Sequence, residues 1–227
     1  MRGEKQGDIK RISPDYYNER YFTNNWYDSK SFALDNLFHR DVAELFVDIM
    51  KPLKYDSVLS IGCAFGNVIY WLNKMGYDGH GIDISEYAIS HTHIPGRVTQ
   101  GDVINGLSYK DGIFDYIFSR DTFEHIAEEH VPKVIAEMER VLKVDGGILL
   151  MPANNFNDKE IRKQMNCAGP NHEDGSHLCV KPPYWWAEMI EKHGKKLIVD
   201  YKRTLYGMAV PMAEKNSWTA LVVRKTI

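Results

Sequence analysis

Hydrophobic and polar positions follow two different periods along this chain. Over residues 35–50, apolar side chains recur every three or four positions, which predicts an amphipathic helix with Asp35 at its N-cap. Five shorter segments are typical of strands: residues 57–61, 79–84, 97–102, 113–121 and 146–153. The fourth, IFDYIFSRD, is apolar at nearly every position, as expected for a parallel strand buried on both faces.

Helical patterns separate most of these predicted strands. They cover residues 67–75, 86–90 and 131–142, the last with Pro132 in its first turn. Strands that alternate with helices are joined by right-handed crossovers. The order therefore predicts an α/β fold, in which a doubly wound parallel sheet carries helices on both faces.

The end of the chain departs from this order. A helical pattern at residues 182–194 is followed directly by two strand-like segments, 196–203 and 217–225. Two successive strands without a helix between them favour an antiparallel pair at the sheet edge. We predict one domain over residues 35–227, with an inserted loop at about residues 154–181 and an aromatic segment, residues 1–34, before it.

Composition and charge exclude several classes of function. The formal net charge is −3, so we expect no nucleic-acid partner, which would require a basic surface. No apolar run approaches a membrane span, and no apolar segment follows the basic N-terminus, so we expect neither a membrane partner nor a signal peptide. Three cysteines without a C-x-x-C pair argue against a disulfide framework and favour a cytoplasmic location.

Small or polar residues stand at the ends of four predicted strands. The first ends in IGCAFG, where Gly62, Ala64 and Gly66 leave room for a ligand beside the backbone. Asp83 ends the second strand, where it can accept both hydroxyls of a ribose, and Asp102 ends the third; the fourth ends in SRD. One such aspartate alone is more typical of a turn or a helix cap. Together, at the carboxyl ends of parallel strands, these residues predict a nucleoside pocket.

The glycine spacing argues against a dinucleotide. A G-x-G-x-x-G fingerprint counted from Gly62 needs a glycine where the chain has Asn67. The sequence also contains no G-x-x-x-x-G-K phosphate loop. We therefore predict a pocket for a nucleoside without a pyrophosphate.

The ordered segments VLSIGCAFG, GIDIS, QGDV, FDYIFSRDTFEHI and VLKVDGGILLMP resemble the class I S-adenosylmethionine-dependent methyltransferases. The resemblance covers most of the chain and is most specific over residues 57–152. It implies a Rossmann-like doubly wound sheet of seven strands with the last strand antiparallel, and S-adenosylmethionine as the cofactor. The cofactor-binding residues that it implies are Gly62, Cys63 and Gly66 for the methionine part, Asp83 and Ile84 for the ribose, Asp102 and Val103 for the adenine, and Ser119 and Arg120 beside the sulfonium.

Two residues depart from the pattern of this family. Ser60 stands where an acidic residue is usual, and a lost charged hydrogen bond of roughly 1.5–3 kcal/mol would weaken cofactor binding about tenfold or more. Ala64 replaces a glycine, and we expect it to be tolerated only with a negative φ. These departures leave open a second class of function, a non-catalytic, cofactor-binding partner of an active enzyme.

Catalytic candidates follow the fourth predicted strand, in RDTFEHI. The candidates are Glu124 and His125. An imidazole ordinarily titrates near neutral pH, so His125 is our candidate for the general base that takes the proton of an acceptor hydroxyl. The alternative interpretation is that this segment only caps the helix that follows.

The inserted loop contains a cluster of nitrogen and oxygen ligands. His177 is a further catalytic candidate, and His172, Glu173 and Asp174 precede it. Four interpretations of this cluster stay open: a second base, contacts to substrate hydroxyls, ligands of a divalent metal, or a polar loop without a further role. His172 and His177 are not spaced as a helical zinc pair, and the sequence does not favour a metal.

Two further segments, YYNERYF and SHLCVKPPYWWAEMIEKHG, resemble methyltransferases of bacterial and viral polysaccharide biosynthesis. This resemblance implies that His177 lies on a loop over the active site. It also implies O-methylation of a small polar acceptor, a sugar hydroxyl of a glycan. Other small molecules with nitrogen or oxygen acceptors stay open as alternatives, and so does the oligomeric state.

Aromatic residues are concentrated before the first predicted helix. Sugars stack on aromatic rings, and a sulfonium near a ring face gains about 0.5–2 kcal/mol. We expect residues 1–34 to act as a lid over the cofactor, the alternative being that the rings only pack on the first helix. The aromatic residues are Tyr16, Tyr17, Tyr21, Phe22, Trp26 and Tyr27.

Overall fold

A computed structural model describes residues 11–25, 32–34, 36–152, 176–205 and 218–227. Within these residues the backbone forms a seven-stranded sheet in the order β3-β2-β1-β4-β5-β7-β6. The strands are β1 Ser57–Ile61, β2 Asp78–Asp83, β3 Val98–Gln100, β4 Phe114–Arg120, β5 Leu142–Met151, β6 Leu197–Leu205 and β7 Trp218–Lys225. The first five strands are parallel, and β7 runs antiparallel to both of its neighbours. The predicted fold class is therefore confirmed.

Five helices accompany the sheet in the described part of the chain. They are α1 Leu37–Met50, α2 Asn67–Lys74, α3 Glu86–Ser90, α4 Val131–Val141 and α5 Pro183–His193. The predicted N-cap of α1 needs correction: the Asn36 side chain accepts a hydrogen bond from the Phe38 N–H at 3.1 Å, and Asp35 lies outside the described residues. An asparagine satisfies a free helical N–H as well as an aspartate does.

Alternate residues of the central strands enter two separate cores. Leu59, Ile117 and Ile148 pack in one core with apolar residues of α4 and α5. Their chain neighbours Val58 and Phe118 enter the other core, with residues of α1 and α2. Because both faces are covered, these strands are apolar at consecutive positions rather than alternating.

The aromatic segment before α1 packs on the loop that follows β1, at the carboxyl edge of the sheet. Phe22 is buried against Phe65 in that loop and against Ala88 of α3, with Tyr17 and Tyr21 packed alongside. Trp26 and Tyr27, which we also assigned to the predicted lid, lie outside the described residues. The described rings thus cover the carboxyl ends of β1 and β2.

No helix in the described ranges is both long and apolar enough to cross a bilayer.

Candidate functional site

A pocket opens where the carboxyl ends of β1 to β4 meet beneath the aromatic segment. The space between its lining atoms, including open solvent at its mouth, is about 1020 Å³. Six of the predicted cofactor-binding residues line it: Gly62, Asp83, Ile84, Asp102, Val103 and Arg120. Tyr17, Tyr21, Phe22 and Phe32 contribute aromatic rings to the same lining.

The turn after β1 brings its backbone close to the loop that follows β4. Gly62 has a φ of +70°, and its N–H donates to the Ile82 carbonyl at 2.9 Å. A Cβ at Gly62 would lie 2.1 Å from the Thr122 Oγ1, so only glycine fits this position. Thr122 is a pocket residue that the sequence analysis missed, although it directly follows the SRD segment.

Ala64 does not have the negative φ that we expected. Its φ is +47°, in the left-handed region that costs about 1–2 kcal/mol for a residue with a Cβ. In this conformation the Ala64 N–H donates to the Asp83 Oδ2 at 2.7 Å. A hydrogen bond to a carboxylate contributes about 1.5–3 kcal/mol, which is enough to offset the strain.

Asp83 is a constrained carboxylate that faces the pocket. Its Oδ1 accepts from the Ser85 N–H at 2.9 Å, and its Oδ2 accepts from the Ala64 N–H. Burial raises the pKa of Asp83 above its ordinary value of 3.8, and the backbone hydrogen bonds lower it only in part. An ionised carboxylate offers about four acceptor sites, and the backbone N–H groups of Ser85, Ala64 and Ile84 interact with this one. Asp83 therefore keeps some acceptor capacity for a hydroxyl of a bound ligand.

Asp102 lies at the end of β3 and forms an ion pair with Arg11 of the N-terminal segment. Its Oδ1 also accepts from the Ile104 N–H at 2.9 Å, which caps a short turn at Val103–Asn105. Arg11 lines the pocket, and no pattern in the polar start of the chain indicated this role. The role at the adenine that the resemblance implies for Asp102 must therefore allow for a competing guanidinium.

Three predicted cofactor-binding residues do not line the pocket. The Cys63 side chain packs against Gly81, where a Cβ would lie 2.6 Å from the sulfur. Gly66 has a φ of +82° and begins α2 as its N-cap residue. The buried Ser119 hydroxyl donates to the Ile61 carbonyl at 3.0 Å and joins β4 to β1. The side chains of Cys63 and Ser119 and the backbone of Gly66 therefore support the structure around the pocket and do not line it.

His125 lines the pocket in a turn at Phe123–His125, just after β4. Its Nδ1 lies 3.1 Å from the Ser176 carbonyl oxygen, which can only accept. Nδ1 therefore carries a hydrogen, so in the neutral form of the ring the lone pair is on Nε2. The Tyr17 ring packs edge-on against this imidazole at 5.7 Å between centroids.

The structure also brings His177 to the site, 52 residues after His125 in the chain. The two imidazole centroids are 4.7 Å apart and nearly perpendicular. Glu124 is 1% exposed, and its backbone carbonyl accepts from the N–H groups of Leu178 and Cys179 at 2.7 and 2.9 Å. Those bonds hold the segment around His177 beside His125. The other predicted ligands of the inserted loop, His172, Glu173 and Asp174, lie outside the described residues.

Comparison with known families identifies a methyltransferase domain, which matches residues 59–150. Among curated proteins, the probable methyltransferase ltbC of Aspergillus luteorubrus is 32% identical over 112 residues, or 42% of this chain and 39% of that protein. Phosphoethanolamine N-methyltransferase of Triticum aestivum is 32% identical over 113 residues, or 46% of this chain and 22% of that protein. The matches thus span less than half of either relative's length. Residues 59–150 are thus similar to a methyltransferase domain, in agreement with the resemblance seen in the sequence, whereas the sugar acceptor stays a prediction.

Solved structures share the fold. A SAM-dependent methyltransferase from Archaeoglobus fulgidus superposes with a TM-score of 0.61 at 17% identity, covering 82% of this chain and 94% of that one. Phosphoethanolamine N-methyltransferase 2 of Haemonchus contortus, in complex with S-adenosyl-L-methionine, gives 0.61 at 15% identity, covering 88% of this chain and 58% of that one. At these identities the likeness establishes the architecture alone.

Proposed function

We propose that this chain is a class I methyltransferase, which binds S-adenosylmethionine in the pocket and methylates a hydroxyl of a small polar acceptor, a sugar. The described residues fit the cofactor by their donor set. Asp83 would hold the ribose hydroxyls, and the apolar side chains of Ile84 and Val103 would flank the adenine. The main support is this arrangement together with the lone pair of His125 at the same pocket.

The charge of the lining favours this cofactor over one with a pyrophosphate. Three aspartates and two arginines line the pocket among the described residues. Arg11 is paired with Asp102, and Arg120 lies 3.2 Å from Asp121, which leaves the negative charge of Asp83 in excess. An excess negative charge attracts a sulfonium and repels phosphates.

S-adenosylmethionine supplies, when bound, a methyl group on a positively charged sulfur that a nucleophilic oxygen can attack. The aromatic rings over the pocket exclude water and orient the acceptor, and positioning of this kind contributes roughly 7–11 kcal/mol. His125 Nε2 would take the hydroxyl proton, which contributes about 10²–10⁴-fold in rate. The fixed Nδ1–H bond to the Ser176 carbonyl keeps the ring in the orientation and tautomer that this requires.

The sugar acceptor is supported by the kind of side chains around His125. Tyr17 and Tyr21 offer flat faces on which a sugar ring can stack, and the histidine offers a hydrogen-bond acceptor for one of its hydroxyls. A second candidate is an amine acceptor. One support is the wheat relative, which is named a phosphoethanolamine N-methyltransferase. The other is that aromatic rings, like those of this pocket, attract ammonium groups.

The test is transfer of a labelled methyl group from S-adenosylmethionine to a panel of sugars, glycosides and phosphoethanolamine. We expect a sugar hydroxyl to be methylated, and we expect His125→Ala to reduce kcat by at least about a hundredfold without changing cofactor affinity. His193→Ala, at the end of α5 and outside the pocket lining, is the matched control.

Two outcomes would contradict the proposal. Methylation of the amine alone would replace the sugar by the second candidate. Retention of more than about a tenth of kcat in His125→Ala would remove this residue from the reaction.

A further inference from the structure

Three potential metal ligands converge beside the pocket from two distant segments of the chain. The ligand atoms of Glu124, His125 and His177 all lie within 4.8 Å of one another. A zinc-like ion holds its nitrogen and oxygen ligands at about 2.0–2.2 Å, so the three groups need to close by only about 1–2 Å around a common ion.

The backbone around these ligands resembles the support that metal sites require. A histidine that binds a metal usually donates its other ring N–H to a carbonyl or carboxylate, which fixes the tautomer and aims the ligating nitrogen. The Ser176 carbonyl has this relation to His125 Nδ1, at 3.1 Å. The Leu178 and Cys179 N–H groups bind the Glu124 carbonyl and so anchor the segment that carries His177.

Burial distinguishes the third ligand. Glu124 is 1% exposed, so little water competes with an ion for its carboxylate. The two imidazoles beside it are half-buried.

The donor set indicates the class of metal. Two imidazoles and one carboxylate suit divalent ions of the first transition series, whereas Mg²⁺ and Ca²⁺ prefer oxygen alone. Three protein ligands leave coordination positions open for water or substrate, as in catalytic zinc sites.

We propose that Glu124, His125 and His177 bind one divalent transition-metal ion. In the metal-loaded protein this ion holds and activates the acceptor hydroxyl, and His125 acts as the base described above only in the metal-free protein. This catalytic role rests on the proposed function, whereas the binding of the metal does not. Binding to the ion lowers the pKa of a hydroxyl, so its proton leaves to solvent. The oxygen then forms a bond to the methyl carbon as the carbon–sulfur bond breaks, and sulfur keeps the electron pair.

The first experiment measures metal binding without any cofactor. The chain is treated with a chelator, dialysed, and titrated with Co²⁺ and Zn²⁺ by calorimetry, and the Co²⁺ complex is followed by its visible absorption. We expect one equivalent to bind at micromolar strength, and Mg²⁺ to bind at least about tenfold more weakly.

Variants test whether these three residues are the ligands. Glu124→Gln and His177→Ala should each weaken Co²⁺ binding at least about tenfold, whereas His193→Ala should bind like the wild type. His177 is half-buried on a loop, so its variant is expected to fold even if Glu124→Gln does not. Failure to bind Co²⁺, or equal binding by His177→Ala, would overturn the proposal.

The two proposals fail in different ways. Unchanged methyl transfer in excess chelator would overturn the metal's catalytic role and leave the proposed function standing. Metal binding without any binding of S-adenosylmethionine would overturn the proposed function and leave the metal site standing.

Discussion

Two aspartates of the same sheet, Asp83 and Asp115, have opposite environments. Asp115, near the start of β4, accepts from the Ser57 N–H at 2.9 Å, the Ser57 hydroxyl at 2.7 Å and the Lys143 ammonium at 2.8 Å. Burial acts to raise its pKa, but the bonds from Lys143 and Ser57 outweigh burial and lower the pKa overall. Asp83, at the end of β2, is in no ion pair among the described residues, and burial raises its pKa.

The difference separates the stabilising end of the sheet from the binding end. At the amino end, a carboxylate is saturated by partners that tie β1, β4 and β5 together. At the carboxyl end, a half-buried carboxylate lines the pocket, and the strained Ala64 donates a hydrogen bond to it. We infer that Asp115 contributes to folding and Asp83 to ligand binding.

The largest expected effect comes from Asp83→Asn. Two hydrogen bonds from ribose hydroxyls to a charged acceptor would weaken, at roughly 1.5 kcal/mol or more each. We expect S-adenosylmethionine affinity to fall about a hundredfold, because every 1.4 kcal/mol is a factor of about ten. Calorimetric titration measures it, and an unchanged dissociation constant would contradict the role assigned to Asp83.

Asp115→Asn should give the converse result. It removes the charge that binds Lys143 and weakens the bonds from Ser57, so we expect the free energy of unfolding to fall by about 1–3 kcal/mol. Urea denaturation measures this loss, and cofactor affinity should stay within about twofold of wild type. If Asp115→Asn weakened cofactor binding as much as Asp83→Asn does, the division of roles between folding for Asp115 and binding for Asp83 would be wrong.

Acidification should separate the same two residues by the sign of their pKa shifts. The pKa of Asp115 is lowered on folding, so its stabilisation is present above its unfolded pKa and is lost as pH falls through the lower folded value. The pKa of Asp83 is raised above 3.8, so this carboxylate is protonated at a higher pH than an ordinary aspartate. As the pH falls through that pKa, cofactor affinity should decline by up to about tenfold per pH unit. Titrations and denaturation curves between about pH 3 and 7 check both. The account would be contradicted if cofactor affinity began to fall only at a pH below the ordinary pKa of an aspartate.

The smallest expected effect is that of Ala64→Gly. Glycine relieves about 1–2 kcal/mol of left-handed strain and loses about 0.5–1 kcal/mol of backbone entropy. The free energy of unfolding should therefore rise by up to about 1 kcal/mol by urea denaturation. A decrease would mean that the Ala64 methyl group contributes packing that outweighs the strain.

The sequence predicts the sheet well because strands that are buried on both faces are apolar at consecutive positions, and this pattern can be seen in the sequence. The pocket was predictable for a similar reason: Asp83 and Asp102 end parallel strands, and those ends meet at one edge. Side-chain direction was not predictable: the Cys63 side chain packs against Gly81 and the Ser119 hydroxyl donates to the Ile61 carbonyl. The predicted contacts of these two residues with the cofactor would therefore be made by their backbone.

Contacts between distant segments were the least accessible to sequence reasoning. Nothing local to Arg11 indicates its pairing with Asp102, which depends on how the N-terminal segment folds back over the pocket. Likewise, His125 and His177 were separate candidates in sequence, and only the bonds of residues 176–179 to the β4 loop bring them together.

Calorimetric titration of the purified chain with S-adenosylmethionine, with its demethylated product and with NAD tests the central claim most directly. The account predicts micromolar binding of the first two and none of NAD, because Asp83 is the proposed ribose acceptor and the glycine spacing after β1 does not match a pyrophosphate-binding loop. Absence of binding by S-adenosylmethionine and its product would contradict it and would favour a domain whose cofactor site Ser60 and Ala64 have disabled.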